Sequence, residues 1–177
     1  MKTTQILIAG FGGQGVLFAG KFLAYKGMSQ DKQVSWLPSY GPEMRGGTAN
    51  CSVILSDTPV GSPIITNPDV LVAMNLPSLQ KFVDSVVPGG VIIVDSTLID
   101  TRVERTDVKV FYIPATQMAK DAGFATLANM ILTGKVLKES GCADFSGNRE
   151  TLESFIPAKK ANLIDINCKA LQLGYDF

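Results

Sequence analysis

Short apolar runs alternate with helix-compatible segments along most of the chain. Three runs are almost entirely apolar, which is the pattern of parallel strands that are buried on both faces of a sheet. They occupy residues 5–9, 69–74 and 91–95. Three further strands are predicted, and the second of them is expected to be an antiparallel excursion. They occupy residues 33–37, 49–55 and 108–113.

Helical segments separate several of these strands and dominate the C-terminal part of the chain. They are predicted at residues 16–25, 77–86, 116–121, 127–139, 149–155 and 158–173. Thr116 is expected to cap the third helix and Gly174 to stop the last one. The order of strands and helices predicts a single α/β domain over residues 1–177: a three-layer Rossmann-like domain with a mostly parallel central sheet and a helical C-terminal region.

Composition narrows the class of protein. The 177 residues are 46% hydrophobic, which argues against disorder, and no apolar run reaches the length of about 18 residues that crosses a bilayer. Sixteen basic and sixteen acidic residues cancel, so neither nucleic acid nor a membrane is expected as a partner. Charged residues make up 18% of the chain, against about 25% in an average domain. This low fraction favours a subunit covered by partner chains, with a compact monomer as the alternative.

The sequence contains no histidine, the commonest general base and metal ligand at neutral pH. Ser–His–Asp triads, Cys–His dyads and histidine-based zinc sites are therefore excluded, and the sequence predicts neither a catalytic residue nor a metal site. Cys51, Cys142 and Cys168 lie far apart in the sequence, whereas a cubane iron–sulfur cluster takes four thiolates. We interpret them as small core side chains. Their odd number, and an N-terminus without signal-like features, predict a reducing cytoplasm.

The glycine stretch after the first predicted strand is the first candidate binding site. It satisfies the pattern G-x-G-x-x-G between a strand and a helix, where glycines allow close approach and the helix N-terminus offers N–H groups to a phosphate. The predicted cofactor-binding residues are Gly10, Gly12, Gly13, Gln14 and Gly15. A dinucleotide site also needs a carboxylate after the second strand, and residues 34–38 have none. NAD and FAD are therefore disfavoured, while another phosphate-bearing ligand and a purely structural turn both stay open.

The loop after the second predicted strand is the second candidate site, for a substrate or a subunit interface. Its predicted contact residues are Ser39, Tyr40, Gly41, Pro42, Glu43, Arg45, Gly46, Gly47 and Asn50. So many glycines lose much conformational entropy on ordering, which a close contact with a ligand or partner would explain. Arg45 offers a fork for a carboxylate or phosphate, and Tyr40 offers an aromatic face. For Glu43, pairing with Arg45, orienting a ligand and simple solvation all stay open. A well-made turn without a ligand is the alternative.

Polar residues also follow two of the predicted parallel strands. Asn75 comes after the strand at 69–74, and Asp95 ends the strand at 91–95. Ligands of open α/β sheets sit at this carboxyl edge, so both residues are candidates for a binding site. Each also has a structural alternative, because Asn75 can cap the next helix and Asp95 can brace a loop.

Five segments are distinctive when they are taken together: GFGGQG, SYGPEMRGGTANCSVILSD, NPDVLVAMNLPSLQKF, NMILTGKVLKESG and NCKALQLGYDF. They extend over nearly the whole chain, which resembles the gamma subunit of 2-oxoacid:ferredoxin oxidoreductases. The most discriminating part runs from Tyr40 to Gly47. It is similar to the 2-oxoglutarate and branched-chain 2-oxoacid members more than to those acting on pyruvate or indolepyruvate.

The resemblance implies a multi-subunit cytoplasmic enzyme of anaerobic metabolism. Such an enzyme decarboxylates a 2-oxoacid on thiamine diphosphate, reduces ferredoxin through iron–sulfur clusters and transfers the acyl group to coenzyme A. This chain would be inactive alone, its partners being alpha, beta and, in some assemblies, delta subunits that hold the thiamine diphosphate, Mg and clusters. The glycine turn and the Arg45 loop would contact either coenzyme A or those subunits. The favoured substrate is 2-oxoglutarate, giving succinyl-CoA, and the alternatives are a branched-chain 2-oxoacid and pyruvate.

Two functions of a different class stay open beside this one. A stand-alone nicotinamide or flavin enzyme predicts nucleotide affinity from the isolated chain, and the missing ribose carboxylate disfavours it. A non-catalytic scaffold predicts that loss of Arg45 leaves the coenzyme A dependence of an assembled complex unchanged.

Overall fold

The described part of the chain, residues 2–39 and 48–177 of a computed structural model, forms one six-stranded sheet with helices on both faces. The strands are β1 (Thr3–Phe11), β2 (Gln33–Ser39), β3 (Thr48–Ser56), β4 (Val70–Ala73), β5 (Val91–Asp95) and β6 (Lys109–Ile113). The helices are α1 (Val16–Met28), α2 (Leu76–Phe82), α3 (Ala115–Asp121), α4 (Ala128–Ser140), α5 (Asn148–Glu153) and α6 (Asn162–Asp176). Short 3₁₀ turns occupy Val83–Ser85 and Ala158–Lys160. Within these ranges, no helix has both the length and the apolar character that a membrane crossing requires.

The strands lie in the order β2-β3-β1-β4-β5-β6. β1, β4, β5 and β6 are parallel, with Ile6 of β1 opposite Val70 of β4. β3 runs antiparallel between β1 and β2, which confirms the predicted antiparallel excursion. Every residue of β4 and β5 is buried, as expected for the continuous apolar runs from which these strands were predicted.

The two crossover connections that contain the helices α1 and α2 leave the centre of the sheet in opposite directions. α1 carries the chain from β1 outward to β2, whereas α2 carries it from β4 to β5 on the other side. Right-handed crossovers in opposite directions place their helices on opposite faces. Phe22 of α1 accordingly shares a buried cluster with Ile8, and Leu79 of α2 shares another with Leu7. The predicted three-layer α/β fold is confirmed, and its switch point lies between the carboxyl ends of β1 and β4.

α4 and α6 cross each other at two glycines. A Cβ atom at Gly134 would overlap the carbonyl oxygen of Leu171, and a Cβ atom at Gly174 would overlap that of Ile131. Gly174 lies inside α6, which continues to Asp176, so the predicted helix stop at this glycine is wrong. The glycine is explained instead by the close approach of the two helix backbones.

Asp95 is fully buried at the end of β5. Its Oδ2 accepts a hydrogen bond from Thr116 Oγ1 at 2.6 Å, and its Oδ1 accepts one from Thr97 N at 3.1 Å. The carboxylate therefore braces the loop after β5 against the start of α3. Of the two roles considered for Asp95, a ligand contact and a structural brace, these hydrogen bonds correspond to the structural brace. Thr116 is not the helix cap, because α3 already begins at Ala115 and the threonine hydroxyl is bound to Asp95.

Lys26 of α1 is a buried cation. Its side chain is fully buried, and its Nζ donates a hydrogen bond to the carbonyl oxygen of Ser146. Burial lowers the pKa of Lys26 from its ordinary value of 10.5, and the carboxylates of Asp144 and Glu150 offset only part of this effect. The charged form of Lys26 therefore opposes folding.

Replacing Lys26 with methionine is expected to remove a component of the pH dependence of stability. The folded protein holds this proton less tightly than the unfolded chain, so its contribution to the free energy of unfolding rises as the pH approaches 10.5 from below. Urea unfolding at a series of pH values approaching 10.5 should show that the free energy of unfolding of wild type rises relative to that of Lys26→Met as the pH increases. Lys138→Met, at an exposed position of α4, is the control. A pH-independent difference for Lys26→Met would contradict the prediction.

Candidate functional site

The glycine turn lies at the carboxyl end of β1 and leads into α1. Gly13 and Gly15 have φ values of +92° and +75°, a region that only glycine enters readily. Gly10 is required for packing, because a Cβ atom there would lie 2.6 Å from Gln14 Oε1 and 2.9 Å from Met74 Cβ. The predicted glycine turn is therefore a defined backbone structure at the switch point of the sheet.

Gln14 joins this turn to the neighbouring strand. Its Oε1 accepts a hydrogen bond from Phe11 N at 2.6 Å, and its Nε2 donates one to Met74 O at 2.9 Å. Met74 N donates in turn to the carbonyl oxygen of Ala9 at 2.8 Å. These bonds hold the turn, the end of β1 and the end of β4 together.

A depression of about 260 Å³ lies beside the turn. It is lined by Phe11, Gly12, Gly13, Gly15, Val16, Leu17, Phe18 and Ala49. Among residues 2–39 and 48–177, no side chain caps the N-terminus of α1, so within this part of the chain the first N–H groups of the helix have no capping partner. A Cβ atom on Gly13 would meet no atom of the described residues within 4 Å, so packing does not account for that glycine. Phosphate groups bind at helix N-termini of this kind in other proteins, so the turn and its depression form the candidate anion cradle of this domain.

The second candidate site begins and ends at the same edge of the sheet. Ser39 of β2 pairs with Asn50 of β3, Asn50 also pairs with Ala9, and Thr48 pairs with Phe11 beside the glycine turn. The two predicted residues Ser39 and Asn50 are therefore near the carboxyl end of β1. The other predicted contacts lie outside the described residues: Tyr40, Gly41, Pro42, Glu43, Arg45, Gly46 and Gly47.

Asn75 follows β4 directly and caps α2. Its Oδ1 accepts a hydrogen bond from Ser78 N at 2.8 Å, which is the structural alternative for this residue. The side chain is buried, and its Nδ2 has no hydrogen-bond partner in the part of the chain that the structure describes. Asn75 follows Met74, whose carbonyl oxygen accepts the hydrogen bond from Gln14. The residue that caps α2 therefore also lies close to the glycine turn.

Asn129 belongs to the site although its sequence context gives little sign of it. It is the second residue of α4 and is buried against the glycine turn, where its Nδ2 donates a hydrogen bond to Gly15 O at 3.0 Å. Its only sequence signal is a polar residue followed directly by the apolar run Met130-Ile131-Leu132, which is too common a pattern to assign a role. The contact itself joins residues 114 positions apart in the chain.

The cysteines are placed for packing more than for chemistry. Cys51 and Cys142 are buried, and Cys168 is partly exposed. Burial raises the pKa of the Cys51 thiol to about 12, although the Trp36 indole N–H, 2.8 Å from its sulfur, offsets part of the rise. A thiol with so high a pKa stays protonated and unreactive. Among residues 2–39 and 48–177, no three His, Cys, Asp or Glu side chains group together so as to hold a metal ion.

The site differs from a dinucleotide site in two respects. β3 separates β2 from β1, so the end of the second strand is not adjacent to the glycine turn. β2 itself, from Gln33 to Ser39, contains no carboxylate that could bind a ribose. The domain is therefore a Rossmann-like α/β domain with a glycine-rich turn at its switch point and without the ribose-binding carboxylate of the dinucleotide fingerprint.

Comparison with known proteins identifies the family. Residues 5–177 match the family described as Pyruvate ferredoxin/flavodoxin oxidoreductase, and the chain belongs to this family. Ketoisovalerate oxidoreductase subunit VorA of Methanothermobacter thermautotrophicus is 42% identical over 175 residues, which are 98% of this chain and 36% of that protein. The chain thus spans little more than a third of that relative.

Two further comparisons cover both proteins almost fully. The 2-oxoglutarate synthase subunit KorC of Methanothermobacter marburgensis is 34% identical over 160 residues, 86% of each chain. The crystal structure of the keto/oxoacid ferredoxin oxidoreductase gamma subunit from Geobacter sulfurreducens has a TM-score of 0.81 at 29% identity, covering 98% of this chain and 96% of that one. The resemblance to gamma subunits is confirmed.

Proposed function

We propose that the chain is the gamma subunit of a thiamine diphosphate-dependent 2-oxoacid:ferredoxin oxidoreductase. The observation that carries this proposal is the family match over residues 5–177. The fold agreement with a gamma subunit over 98% of the chain supports it. The assembled enzyme would convert a 2-oxoacid, coenzyme A and oxidised ferredoxin to an acyl-CoA, carbon dioxide and reduced ferredoxin. Thiamine diphosphate, Mg and iron–sulfur clusters, held by alpha, beta and in some assemblies delta subunits, would supply the decarboxylation and electron transfer.

The task proposed for this chain is to hold coenzyme A beside those subunits. The N-terminus of α1, which no side chain of the described residues caps, would bind a phosphate group of coenzyme A, and no described atom obstructs its close approach at Gly13. Phe11, 40% exposed at the rim of the depression, offers an aromatic surface next to the phosphate position. Arg45 would add a charged fork from the neighbouring segment.

Two substrate classes are supported to different degrees. The relative named for ketoisovalerate is 42% identical and the one named for 2-oxoglutarate is 34% identical. The higher identity favours a branched-chain 2-oxoacid, whereas the segment from Tyr40 to Gly47 is similar to both classes. The preference for 2-oxoglutarate remains a prediction, and the assay below compares the two substrates directly.

Purification from the source cells under anaerobic conditions tests the proposal. We expect larger subunits to co-purify with the chain and the complex to reduce viologen only when a 2-oxoacid and coenzyme A are both present. Comparison of kcat/KM for 2-oxoglutarate, 2-oxoisovalerate and pyruvate then identifies the substrate. Recovery of the chain alone and without activity would overturn the proposal, and nucleotide affinity of the isolated chain would then be measured.

Replacing Arg45 with alanine is expected to raise the KM for coenzyme A or the 2-oxoacid. Loss of a charge-assisted contact to phosphate or carboxylate costs about 1.5–3 kcal/mol, which corresponds to a rise of roughly 10- to 150-fold. Steady-state kinetics of the assembled enzyme, with coenzyme A and the 2-oxoacid varied in turn, measures the change in each KM. Arg102→Ala is the control, because Arg102 lies over the Tyr112 ring, far along the sheet from the glycine turn. An unchanged KM in an intact Arg45→Ala complex would favour the scaffold function instead.

A further inference from the structure

The side chain of Asn129 occupies the space that a side chain at position 15 would need. A Cβ atom on Gly15 would overlap Asn129 Nδ2 and lie 2.9 Å from Asn129 Cγ. Asn129 is 4% exposed, and its Nδ2 donates to Gly15 O at 3.0 Å. The same oxygen accepts the hydrogen bond from Ala19 N, at 3.0 Å, in the first turn of α1. The amide of Asn129 thus fixes the peptide group at which the glycine turn becomes a helix.

This contact determines where the adjacent N–H group points. In a trans peptide the carbonyl and the N–H are directed to opposite sides, and Gly15 O shares a peptide group with Val16 N. Because Asn129 and Ala19 bind the oxygen, the Val16 N–H is directed out of the N-terminal end of α1. Val16 lines the depression beside the turn. Asn129 therefore contacts the glycine turn through Gly15 but does not itself line the depression.

Stability alone does not account for an asparagine at this position. Asn129 Oδ1 is buried and has no hydrogen-bond partner among the described residues. An unsatisfied buried acceptor costs about as much as a neutral hydrogen bond contributes, so the side chain gives little net stabilisation. What it supplies is one fixed orientation for Gly15.

We infer that Asn129 is a positioning residue for the ligand cradle. Its Nδ2 holds Gly15 in the left-handed conformation and so directs the first N–H groups of α1 toward the ligand. The role for coenzyme A rests on the function proposed above, whereas the effect on the turn does not. The two are measured separately below.

The chain contains a matched control in Asn167. This residue is 2% exposed, its Nδ2 donates to a backbone carbonyl, that of Leu163, at 2.7 Å, and its Oδ1 also lacks a partner among the described residues. Its bond lies within α6 and does not involve the glycine turn. Asn129→Ala and Asn167→Ala therefore delete the same groups at two places, and Asn129→Asp keeps the size of the side chain while removing the donor.

The first measurement needs no ligand. We expect ¹⁵N relaxation of the full chain to show backbone order parameters of residues 12–17 falling from about 0.85 toward about 0.6 in Asn129→Ala and Asn129→Asp. They should stay at the wild-type values in Asn167→Ala. Unchanged order parameters in both Asn129 variants, or equal changes in the Asn167 variant, would overturn the positioning role.

The second measurement uses coenzyme A and the assembled enzyme. We expect the KM for coenzyme A to rise about 2- to 10-fold in both Asn129 variants with kcat unchanged, and to stay at the wild-type value in Asn167→Ala. A fall in kcat at constant KM, or the same rise in the Asn167 variant, would overturn the inference for the ligand. Wild-type activity that does not depend on coenzyme A would refute the proposed function, while the order parameters would still decide the role of Asn129 in the turn.

Discussion

Gly174→Ala is expected to lower the free energy of unfolding by about 3 kcal/mol, at the upper end of the range for overpacked substitutions. In an exposed helix this change would stabilise by about 1 kcal/mol, because alanine has the higher helix propensity. Here the added Cβ would overlap the backbone carbonyl of Ile131, which cannot turn aside as a side chain could. α6 must therefore move away from α4 along a contact that buries Leu171 and Ile131.

Urea unfolding of Gly174→Ala and Gly61→Ala measures this effect. A Cβ atom on Gly61 would meet no described atom within 4 Å, so this variant should change stability by less than about 0.5 kcal/mol. Gly134→Ala should behave like Gly174→Ala, because its Cβ atom would overlap Leu171 O from the other helix. Equal stability of Gly174→Ala and wild type would mean that the two backbones are not in contact.

Gly15→Ala is expected to destabilise by about 3 kcal/mol, and Gly13→Ala by only about 1 kcal/mol. Both residues have positive φ, so both variants carry the cost of a left-handed conformation for alanine. They differ in space, because a Cβ atom at position 15 overlaps Asn129 whereas one at position 13 is unobstructed by the described residues. Thermal or urea unfolding measures both variants. The loss of stability in Gly13→Ala reports the cost of the left-handed conformation, and the additional loss in Gly15→Ala reports the overlap with Asn129.

A double-mutant cycle identifies the obstructing group. In an Asn129→Ala background, Gly15→Ala should cost only about 1 kcal/mol, close to the value for Gly13→Ala, because the overlapping amide is gone. Additive effects of the two substitutions would show that Asn129 does not limit the residue at position 15.

The central part of the fold follows from local sequence. β4 and β5 are continuous apolar runs because both faces of these strands are covered, and β3 alternates in hydrophobicity from Ala49 to Val53 before Ile54 and Leu55 extend the apolar run. The glycine turn is predictable for a related reason. The backbone conformations of Gly13 and Gly15 require glycine, and the flanking strand and helix have clear patterns of their own.

Two local signals mislead because a distant contact decides the outcome. Gly174 has the position of a helix stop, but its missing side chain accommodates the backbone of α4. Thr116 has the position of a helix cap, but its hydroxyl binds the carboxylate of Asp95 from β5. In both cases the residue type is explained only when the neighbouring element is known.

The candidate site is predictable in outline and not in its supporting contacts. Gly10 and Gln14 are found from the motif, whereas the hydrogen bond of Gln14 to Met74 depends on how β1 and β4 pair. Asn129 cannot be assigned from the sequence, because it reaches Gly15 only when α4 packs beside α1. The contribution of Arg45 remains a prediction that kinetics will test.

The hairpin pairing of β2 with β3 affects how this domain can diverge. Ser39 and Asn50 are partners across the two strands, and this pairing continues back to Gln33 and Ser56. Insertions or deletions between the two strands would leave that register intact, and each doubling of a loop costs only about 0.6 kcal/mol in closure entropy. Segments of different length between β2 and β3 can therefore be accommodated without altering the sheet that supports the candidate anion cradle.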